Sequence, residues 1–416
     1  MTNVQRIKKE YLSCKDVFVQ QSGQKSYETP ITRHHISMLN NSTESHFLYR
    51  KESENVYIIY SKVTRNYYIT DYKGYTVFKN SLPGKKINEV ALSIADILAV
   101  SYEESEKLVK QTLSELYSIE NNCNLDFVLK TPVRIGWRIT DQCNLNCKHC
   151  FNYSNNPRIT TIEQANRVID QIIEANVFEV IITGGEATTH PYFLEIVNRL
   201  KKVSLTIFTN GILLPQYLER LKEFHIKFLI SVDGFEKQHD LMRGIGTYRK
   251  VLKTIELLEE TDQLFAINTV INKLNIDIME QFIEFHKERG RTVQVSFIIP
   301  MGNANMNDHI ILNSDDRIKL VRILRKYYGE EGLMEIKDKK FICGGGRVKV
   351  DILCDGSVTP CSFTDNFVLG NIYEASLLSI WENHKKTLFH DHLGEKIISG
   401  PCRIVRDYYA DKFFPM

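Results

Sequence analysis

The chain has 416 residues, enough for two or three domains with hydrophobic cores of their own. Hydrophobic residues make up 43% and charged residues 25%, as in ordinary globular proteins, and a formal net charge of +2 favours neither a nucleic-acid nor an acidic-membrane partner. The sequence shows no apolar run of membrane-spanning length and no signal-peptide core, so a cytoplasmic location is expected.

Residues 1–45 are treated as an N-terminal segment, and residues 46–125 read as a small α+β unit. Aromatic-rich runs predict strands of a short antiparallel sheet at His46–Arg50, Val56–Ser61 and Asn66–Thr70. Helices are predicted over Tyr72–Ser81, Ile87–Ala99 and Glu103–Ser118, the last with a Ser101/Glu104 capping box. This pattern fits a winged-helix module, whose sheet edge can pair with an extended peptide. The alternative is an accessory domain that only packs on the rest.

From residue 131 to 302 the pattern changes to alternating strands and helices. Strands are predicted at Val133–Thr140, Glu179–Thr183, Leu205–Thr209, Phe228–Val232, Phe265–Ile271 and Val293–Pro300. The helices between them are predicted at Ile162–Ala175, Pro191–Lys202, Pro215–Phe224, Tyr248–Glu260 and Ile276–Arg289. Such repeats predict an α/β fold with a parallel sheet, either open or curled into a partial (β/α)6 barrel.

The region 303–416 lacks this alternation and is expected to be a small extension held together by a metal or cluster bound to its cysteines. The chain has nine cysteines, of which three crowd into residues 143–150 and four lie beyond residue 342. Clustered cysteines in a cytoplasmic protein argue for metal or redox chemistry over disulfides.

The first cysteine group has the spacing C-x3-C-x2-C, formed by Cys143, Cys147 and Cys150 on one loop after the first predicted core strand. Three thiolates are too few for a structural zinc site, which usually has four N or S ligands. On a 4Fe–4S cluster they leave one iron open, which can chelate the amino and carboxylate groups of S-adenosylmethionine. The alternative is a zinc site that borrows His149 or a distant cysteine.

Polar or glycine motifs follow the next strands. Gly184 and Gly185 let the backbone approach a ligand closely, and the following Glu186 can accept from an ammonium group. Taken alone, this motif fits a turn equally well.

The third and fourth strands end in Asn210-Gly211 and Ser231-Val232-Asp233-Gly234. Ser231 and Asp233 carry the groups that a ribose needs, although strand-end turns also use these residues. Arg243 further on can pair with a carboxylate or can be a solvated surface charge, and Asn272 is a weaker candidate.

The cysteine loop and the Gly184-Gly185-Glu186 motif together resemble the sequence signature of the radical S-adenosylmethionine (radical SAM) superfamily. The resemblance implies a 4Fe–4S cluster with S-adenosylmethionine, and it places His149 near the adenine. It also implies cofactor contacts for Gly184, Gly185, Glu186, Asn210, Ser231, Asp233 and Arg243. The stretch Ser231–Gly244 is similar to the subgroup with a C-terminal SPASM or twitch domain.

A second cysteine group lies in the tail. Cys343, Gly356 and Cys361 match C-x12-G-x4-C, which resembles the opening motif of SPASM and twitch domains, with Asp355-Gly356 expected as a hairpin turn. Cys402 is a candidate third ligand, and Cys354 is either a fourth ligand or a packed strand residue. Because the further four-cysteine run of a full SPASM domain is missing, the resemblance implies the twitch form with one auxiliary 4Fe–4S cluster. The alternative is a zinc site or another structural metal site without redox activity.

The unit 46–125 resembles the leader-peptide recognition element of enzymes that modify ribosomally made peptides. Together these likenesses imply a peptide maturase. In such an enzyme a 5′-deoxyadenosyl radical removes a hydrogen atom from a precursor peptide, and a thioether or carbon–carbon crosslink forms. The partners implied are that peptide and a reductant such as flavodoxin or ferredoxin.

Other functions remain open at this point. A radical SAM enzyme of the sulfatase-maturase type or a peptide epimerase would share the core motifs, and a metal-binding sensor or scaffold would lack catalysis. No side chain is singled out as hydrogen donor or general base.

Overall fold

The computed structural model describes residues 46–62, 65, 67–82, 85–116, 129–299, 301–332, 344–363 and 367–384. The chain divides into two units between Lys130 and Thr131, and each is described by itself. The segment 1–45 and the predicted ligands Cys343 and Cys402 lie outside the described residues.

The N-terminal unit is a three-stranded antiparallel sheet followed by three helices. Its strands pair in the order β1-β2-β3, with bounds β1 Phe47–Ser53, β2 Val56–Ser61 and β3 Tyr67–Thr70. The helices are α1 Tyr72–Ser81, α2 Ile87–Leu98 and α3 Tyr102–Leu116. At the start of α3, the backbone N–H of Glu104 donates to Ser101 Oγ at 3.2 Å, as the capping pattern predicted. The sheet and helices enclose a core that includes Phe47, Ile59, Phe78, Ile94 and Val109.

The second unit is built on a nine-stranded sheet. Six strands of this sheet come from the repeats: β4 Arg134–Arg138, β5 Glu179–Thr183, β6 Ser204–Thr209, β7 Ile226–Ser231, β8 Leu264–Ile271 and β9 Val293–Phe297. They pair in chain order and all in parallel, which confirms the predicted α/β class with a parallel sheet. Closure into a partial barrel stays a prediction.

Helices connect these strands. They are α4 Ile162–Glu174, α5 Phe193–Arg199, α6 Pro215–Leu221, α7 Glu236–Arg243, α8 Thr247–Glu260 and α9 Met279–Glu288. In α4, Thr161 and Gln164 form a reciprocal capping box, and Val168, Ile169 and Ile172 are buried on one face. Local capping and a regular apolar period therefore fix where this helix begins and which side faces the sheet.

The tail extends the same sheet at its β4 edge. A helix that the sequence pattern did not predict, α10 Ser314–Gly332, comes first. Strand β10 Lys349–Ile352 then pairs in parallel with β4, and β11 Ser357–Thr359 and β12 Gly370–Asn371 follow in antiparallel order before α11 Leu377–His384. Gly356 has φ +83° in the tight turn between β10 and β11, which confirms the predicted Asp355-Gly356 hairpin.

The parallel strands β4–β9 end at the same edge of the sheet, so the loops that follow them converge there. This edge carries the cysteine loop and the strand-end motifs. Across the parts of the chain described above, no helix combines the length and apolarity needed to cross a membrane.

Candidate active site

A cavity at this edge brings most of the predicted cofactor residues together. The thiols of Cys143, Cys147 and Cys150 line it. His149 on the same loop lines it as well, and so do predicted contacts from four further segments: Gly184 to Glu186, Asn210, Ser231 and Arg243. Residues far apart in sequence thus meet because each follows or ends one of the parallel strands.

Burial raises the pKa of all three cysteine thiols, and it raises that of Cys143 to about 12. Burial raises the pKa of the Cys147 thiol to about 11, although the nearby Arg243 opposes the shift. Burial also raises the pKa of the Cys150 thiol. Iron binds thiolates, so cluster binding at this loop must release protons.

The backbone of the cysteine loop lies directly against Gly184 and Gly185. The N–H of Gly185 donates to Thr140 O and the N–H of Glu186 to Gln142 O, both at 2.7 Å. A Cβ on Gly185 would lie 2.3 Å from Gln142 O, and one on Gly184 would lie 2.6 Å from Thr140 O. Both glycines are therefore required by the close packing of this loop, a role that the sequence motif did not reveal.

Glu186 joins several strand ends through its buried carboxylate. Its Oε1 accepts from Thr188 N, Thr188 Oγ1 and Thr209 Oγ1, and its Oε2 accepts from Asn210 N at 2.7 Å. A carboxylate offers about four lone-pair positions, so these contacts use most of its capacity. In this structure Glu186 orders the loop after β6, and its contact with an ammonium group stays a prediction.

Asn210 contacts the start of the cysteine loop. Its Nδ2 donates to Asn144 Oδ1 at 2.8 Å and lies 3.9 Å from Cys143 Sγ, while its Oδ1 accepts from Ile212 N. The side chain predicted as a cofactor contact therefore also positions the first cysteine.

A buried ion pair lies behind the cavity. Arg243 Nε donates to Asp233 Oδ2 at 2.6 Å, and Asp233 is fully buried. Burial alone would raise the pKa of the Asp233 carboxyl, but Arg243 and then His149 outweigh burial and lower it. Arg243 itself is 8% exposed, so the alternative of a solvated surface charge is wrong.

Asp233 lies differently from its predicted place at a ribose. Its second oxygen accepts from Val270 N at 2.9 Å, and the residue is not among those that line the cavity. Ser231, two residues earlier, does line it. Asn272 is also placed elsewhere, with its side chain bonded to the backbone of Val270 and Leu274.

His149 is available to a bound ligand. Its Nε2 lies 3.5 Å from Asp233 Oδ2 and 3.3 Å from Arg243 Nη2, and burial lowers the pKa of the imidazole to about 4. Its Nδ1 is buried and has no hydrogen-bond partner among the residues that the structure describes. A neutral ring with one unsatisfied nitrogen on a cavity of thiols fits a nucleotide cofactor beside an iron–sulfur cluster.

The sequence analysis missed several polar cavity residues, among them Thr183, Asn268 and Ser296. Thr183 ends β5, and the Ser296 hydroxyl on β9 donates to Asn268 Oδ1 on β8 at 2.7 Å. Asn268 is the register partner of Ser231 on β7. Polar residues inside apolar strands, close to their carboxyl ends, were the available signal.

The hairpin of the tail is joined to the cysteine loop by Arg158. Its Nη1 donates to Asp355 Oδ2 at 2.6 Å, and its Nε lies 3.4 Å from Asp141 Oδ2. The thiol of Cys354 is buried and donates to Arg138 O at 3.2 Å, and burial raises its pKa. Its role as a ligand stays a prediction.

Cys361 is half-buried just after β11. Phe363, two residues further on, lines the same cavity as the first cysteine group. Its ring packs edge-on against Phe151, with the centroids 5.2 Å apart. The tail therefore contributes a wall of the cavity.

Comparison with protein families gives two matches. The profile of the radical SAM superfamily matches residues 137–286, and that of the SPASM iron–sulfur cluster-binding domain matches residues 343–403. Both cysteine groups fall inside these ranges. The SPASM match reaches Cys402, and the number of auxiliary clusters stays a prediction.

Two curated relatives each match 66% of the chain. The AdoMet-dependent heme synthase of Methanosarcina barkeri is 29% identical over 311 residues, and the match covers 88% of that enzyme. The mycofactocin maturase MftC of Mycolicibacterium smegmatis is 27% identical over 302 residues and is covered to 75%.

Among solved structures, Streptococcus suis SuiB bound to its precursor peptide SuiA has a TM-score of 0.57 at 16% identity. The match covers 82% of this chain and 88% of that one, and it supports the fold. The first profile contains the first cysteine group and the second profile contains the second, so the chain carries a radical SAM domain and a SPASM domain. These domains imply an enzyme that uses a 4Fe–4S cluster, S-adenosylmethionine and auxiliary iron–sulfur binding.

Proposed function

We propose that this chain is a maturase that modifies a ribosomally made precursor peptide and installs a thioether or carbon–carbon crosslink. The observation that carries the proposal is the combination of a radical SAM cavity with a separate N-terminal unit outside both family profiles. In the described residues, β1 and β3 are the outer strands of that unit's sheet, and peptide-recognition domains commonly add an extended peptide at such a strand.

The names of the relatives support a peptide substrate without deciding it. MftC is a maturase and SuiB was solved with a precursor peptide, whereas the archaeal relative is a heme synthase. The N-terminal unit favours the peptide, because leader binding would tether the substrate and raise its effective concentration at the cavity.

We assign the catalytic cluster to Cys143, Cys147 and Cys150, whose thiols share the cavity with His149 and Arg243. When bound and reduced, the cluster and S-adenosylmethionine supply a 5′-deoxyadenosyl radical that removes a hydrogen atom from the substrate. A flavodoxin or ferredoxin is the proposed electron donor.

The chain's own residues orient the cofactor in this proposal. The unsatisfied Nδ1 of His149 offers a hydrogen-bonding atom to the adenine, and Ser231 offers a hydroxyl to the ribose. Asp233 holds Arg243 at the cavity wall, where its positive charge favours a carboxylate nearby. Glu186 and Asn210 fix the loops around these groups.

In this proposal the tail binds an auxiliary cluster through Cys343, Cys361 and Cys402. The thiol of Cys354 joins them as a fourth ligand after it leaves Arg138 O. Such a cluster would accept the surplus electron, or would bind a substrate cysteine, as the crosslink forms. Phe363 places this part of the chain at the cavity.

Cysteine substitutions test the two assignments separately. We expect Cys143→Ala to abolish the release of 5′-deoxyadenosine, because the catalytic cluster loses a ligand. Cys361→Ala should retain that release and lose the peptide product. The assay is anaerobic reconstitution followed by quantification of 5′-deoxyadenosine and peptide, with Cys123→Ala as a control outside both motifs. Equal loss of both products in Cys361→Ala would contradict separate roles.

Mass spectrometry of the precursor peptide identifies the reaction. A loss of two hydrogens supports a crosslink. A peptide mass that is unchanged after reaction in ordinary water, but raised by uptake of deuterium after reaction in heavy water, would instead establish epimerisation and overturn the crosslink proposal.

A further inference from the structure

The segment after β9 contacts the cysteine loop along its length. It contains a short 3-10 helix over Gly302–Met306, and the β/α pattern of the sequence assigned it no function. Its residues lie on the opposite end of the loop from Asn210, which contacts Asn144. The loop motif Cys-Asn-Leu-Asn-Cys thus has a second asparagine, Asn146, whose partner lies in this segment.

Asn303 makes the main contacts. Its Nδ2 donates to Asn146 Oδ1 at 2.6 Å and to Cys147 O at 3.1 Å. Its backbone N–H donates to Cys150 O at 2.9 Å. Asn303 is 6% exposed, so its bonds are sheltered from water.

Two neighbours reinforce the contact. Asn307 Nδ2 donates to Lys148 O at 3.2 Å and to Asn303 O at 2.8 Å. Gly302 has φ +53°, and a Cβ there would lie 2.6 Å from Cys150 O. The segment therefore approaches the loop as closely as a backbone without a side chain allows.

These bonds end on the backbone of two of the three cysteines. A short irregular loop has few hydrogen bonds of its own, and buried carbonyl groups need partners. Asn303 supplies them from a part of the chain more than a hundred residues away. Substitution of a residue that hydrogen-bonds to a metal ligand, but is not itself a ligand, typically lowers metal affinity by about 10–100-fold.

We propose that Asn303 is a positioning residue that holds the cysteine loop in the conformation that binds the catalytic cluster. The inference rests on the proposed assignment of Cys143, Cys147 and Cys150 to that cluster. Asn303 acts through the loop and is not itself a ligand or a catalytic residue.

The first test uses the full-length protein without iron. Asn303→Asp keeps the size of the side chain but replaces the donor with an oxygen that repels Asn146 Oδ1. Asn303→Ala removes the donor without adding charge. For both variants we expect the loop amides to exchange hydrogen about tenfold faster than in the wild type, as the loss of one to two hydrogen bonds implies.

Asn198→Asp is the matched control, because it makes the same chemical change at an exposed position on α5, outside the cavity lining. It should leave loop exchange unchanged. Thermal unfolding of each variant separates local loosening from global destabilisation. Loop exchange at the wild-type rate in both Asn303 variants would overturn the inference.

The second test uses the reconstituted protein. With a chelator present, the visible iron–sulfur absorption should decay about tenfold faster in both Asn303 variants than in the wild type and in Asn198→Asp. The electron paramagnetic resonance signal of the reduced cluster should also change. Identical decay and signal in all four proteins would overturn the inference.

Failure of the proposed function gives a different result. If Cys143→Ala retains as much catalytic cluster as the wild type, the ligand assignment is wrong. In that case the role of Asn303 in cluster binding is wrong too, even if the exchange test still shows that Asn303 orders the loop.

Discussion

Single buried side chains show how strongly the interior of the second unit controls ionisation. His286 on α9 has 0% exposure and packs against Phe282 and Phe285, with ring centroids 4.5 and 5.0 Å away. Neither ring nitrogen has a hydrogen-bond partner within the described part of the chain. Burial, with a smaller contribution from Arg291 and Arg289, lowers the pKa of His286 to about 3.

This shift predicts a loss of stability in acid. The unfolded chain binds a proton at this position below a pH of about 6.5, whereas the folded chain does so only near pH 3. The contribution of neutral His286 to folding is therefore lost as pH falls from about 6.5 towards 3. Between pH 7 and pH 5 this costs about 2 kcal/mol. His286→Phe should remove this part of the loss of stability between pH 7 and pH 5. The measurement is the free energy of unfolding of the iron-free protein in urea at both pH values.

His225 provides the control because it is an exposed histidine. His225→Phe should keep the wild-type difference between the two pH values. If His286→Phe loses as much stability as the wild type between pH 7 and pH 5, burial of a neutral ring is not the cause.

At the scale of elements, the cysteine loop is held between two segments that contain glycines. Gly184 and Gly185 follow β5 on one side, and Gly302 follows β9 on the other. Neither segment could approach the loop with a side chain at these positions. The conformation of the loop therefore depends on β5 and β9 as well as on β4.

Gly185→Ala tests this dependence. Its Cβ would lie 2.3 Å from Gln142 O and 2.4 Å from Asp141 O, both backbone atoms, so the loop must move. We expect a loss of about 1–3 kcal/mol in unfolding free energy, as for other overpacked sites. Iron bound per chain after reconstitution should also fall.

Gly290→Ala separates steric displacement from backbone strain. Gly290 has φ +73°, but a Cβ there meets nothing within 4 Å. This variant should lose about 1 kcal/mol through strain and keep its iron. Equal iron content in the two variants would show that the contact at Gly185 does not position the loop.

The elements also show what the sequence could predict. Helix α4 was placed to within a residue because its capping box and apolar period are local. Helix α7 was missed because its eight residues are too few for a clear apolar period, and the bond from Arg243 at its end to Asp233 forms only in the folded chain. For the same reason, spacing alone identified the three loop cysteines, whereas Asn268 and Asn303 acquire their places only when separate strands come together.

At the scale of the molecule, the two units have separate hydrophobic cores. The core of the N-terminal unit includes Phe78 and Ile94, and that of the second unit includes Trp137 and Phe228. Each unit can bury its own apolar surface, which is the main driving force for folding.

A chain that lacks residues 1–130 should therefore fold and still release 5′-deoxyadenosine after reconstitution. It should lose most peptide modification, because the proposed leader-binding unit is gone. The measurement is product formation per 5′-deoxyadenosine, compared with the full-length chain. Unchanged peptide turnover would instead favour an enzyme of the sulfatase-maturase type.

The parallel pairing of β10 with β4 has a consequence for how this enzyme can vary. Val350 and Ile352 stand beside Ile135 and Trp137 in one hydrogen-bonded ladder, although most of the α/β repeats separate them along the chain. Insertions in the loops between the repeats can therefore lengthen the polypeptide without changing the distance in space between the loop after β4 and the hairpin after β10. A graft of the tail onto another scaffold would preserve that distance only if the new host offered an equivalent open strand in the same register.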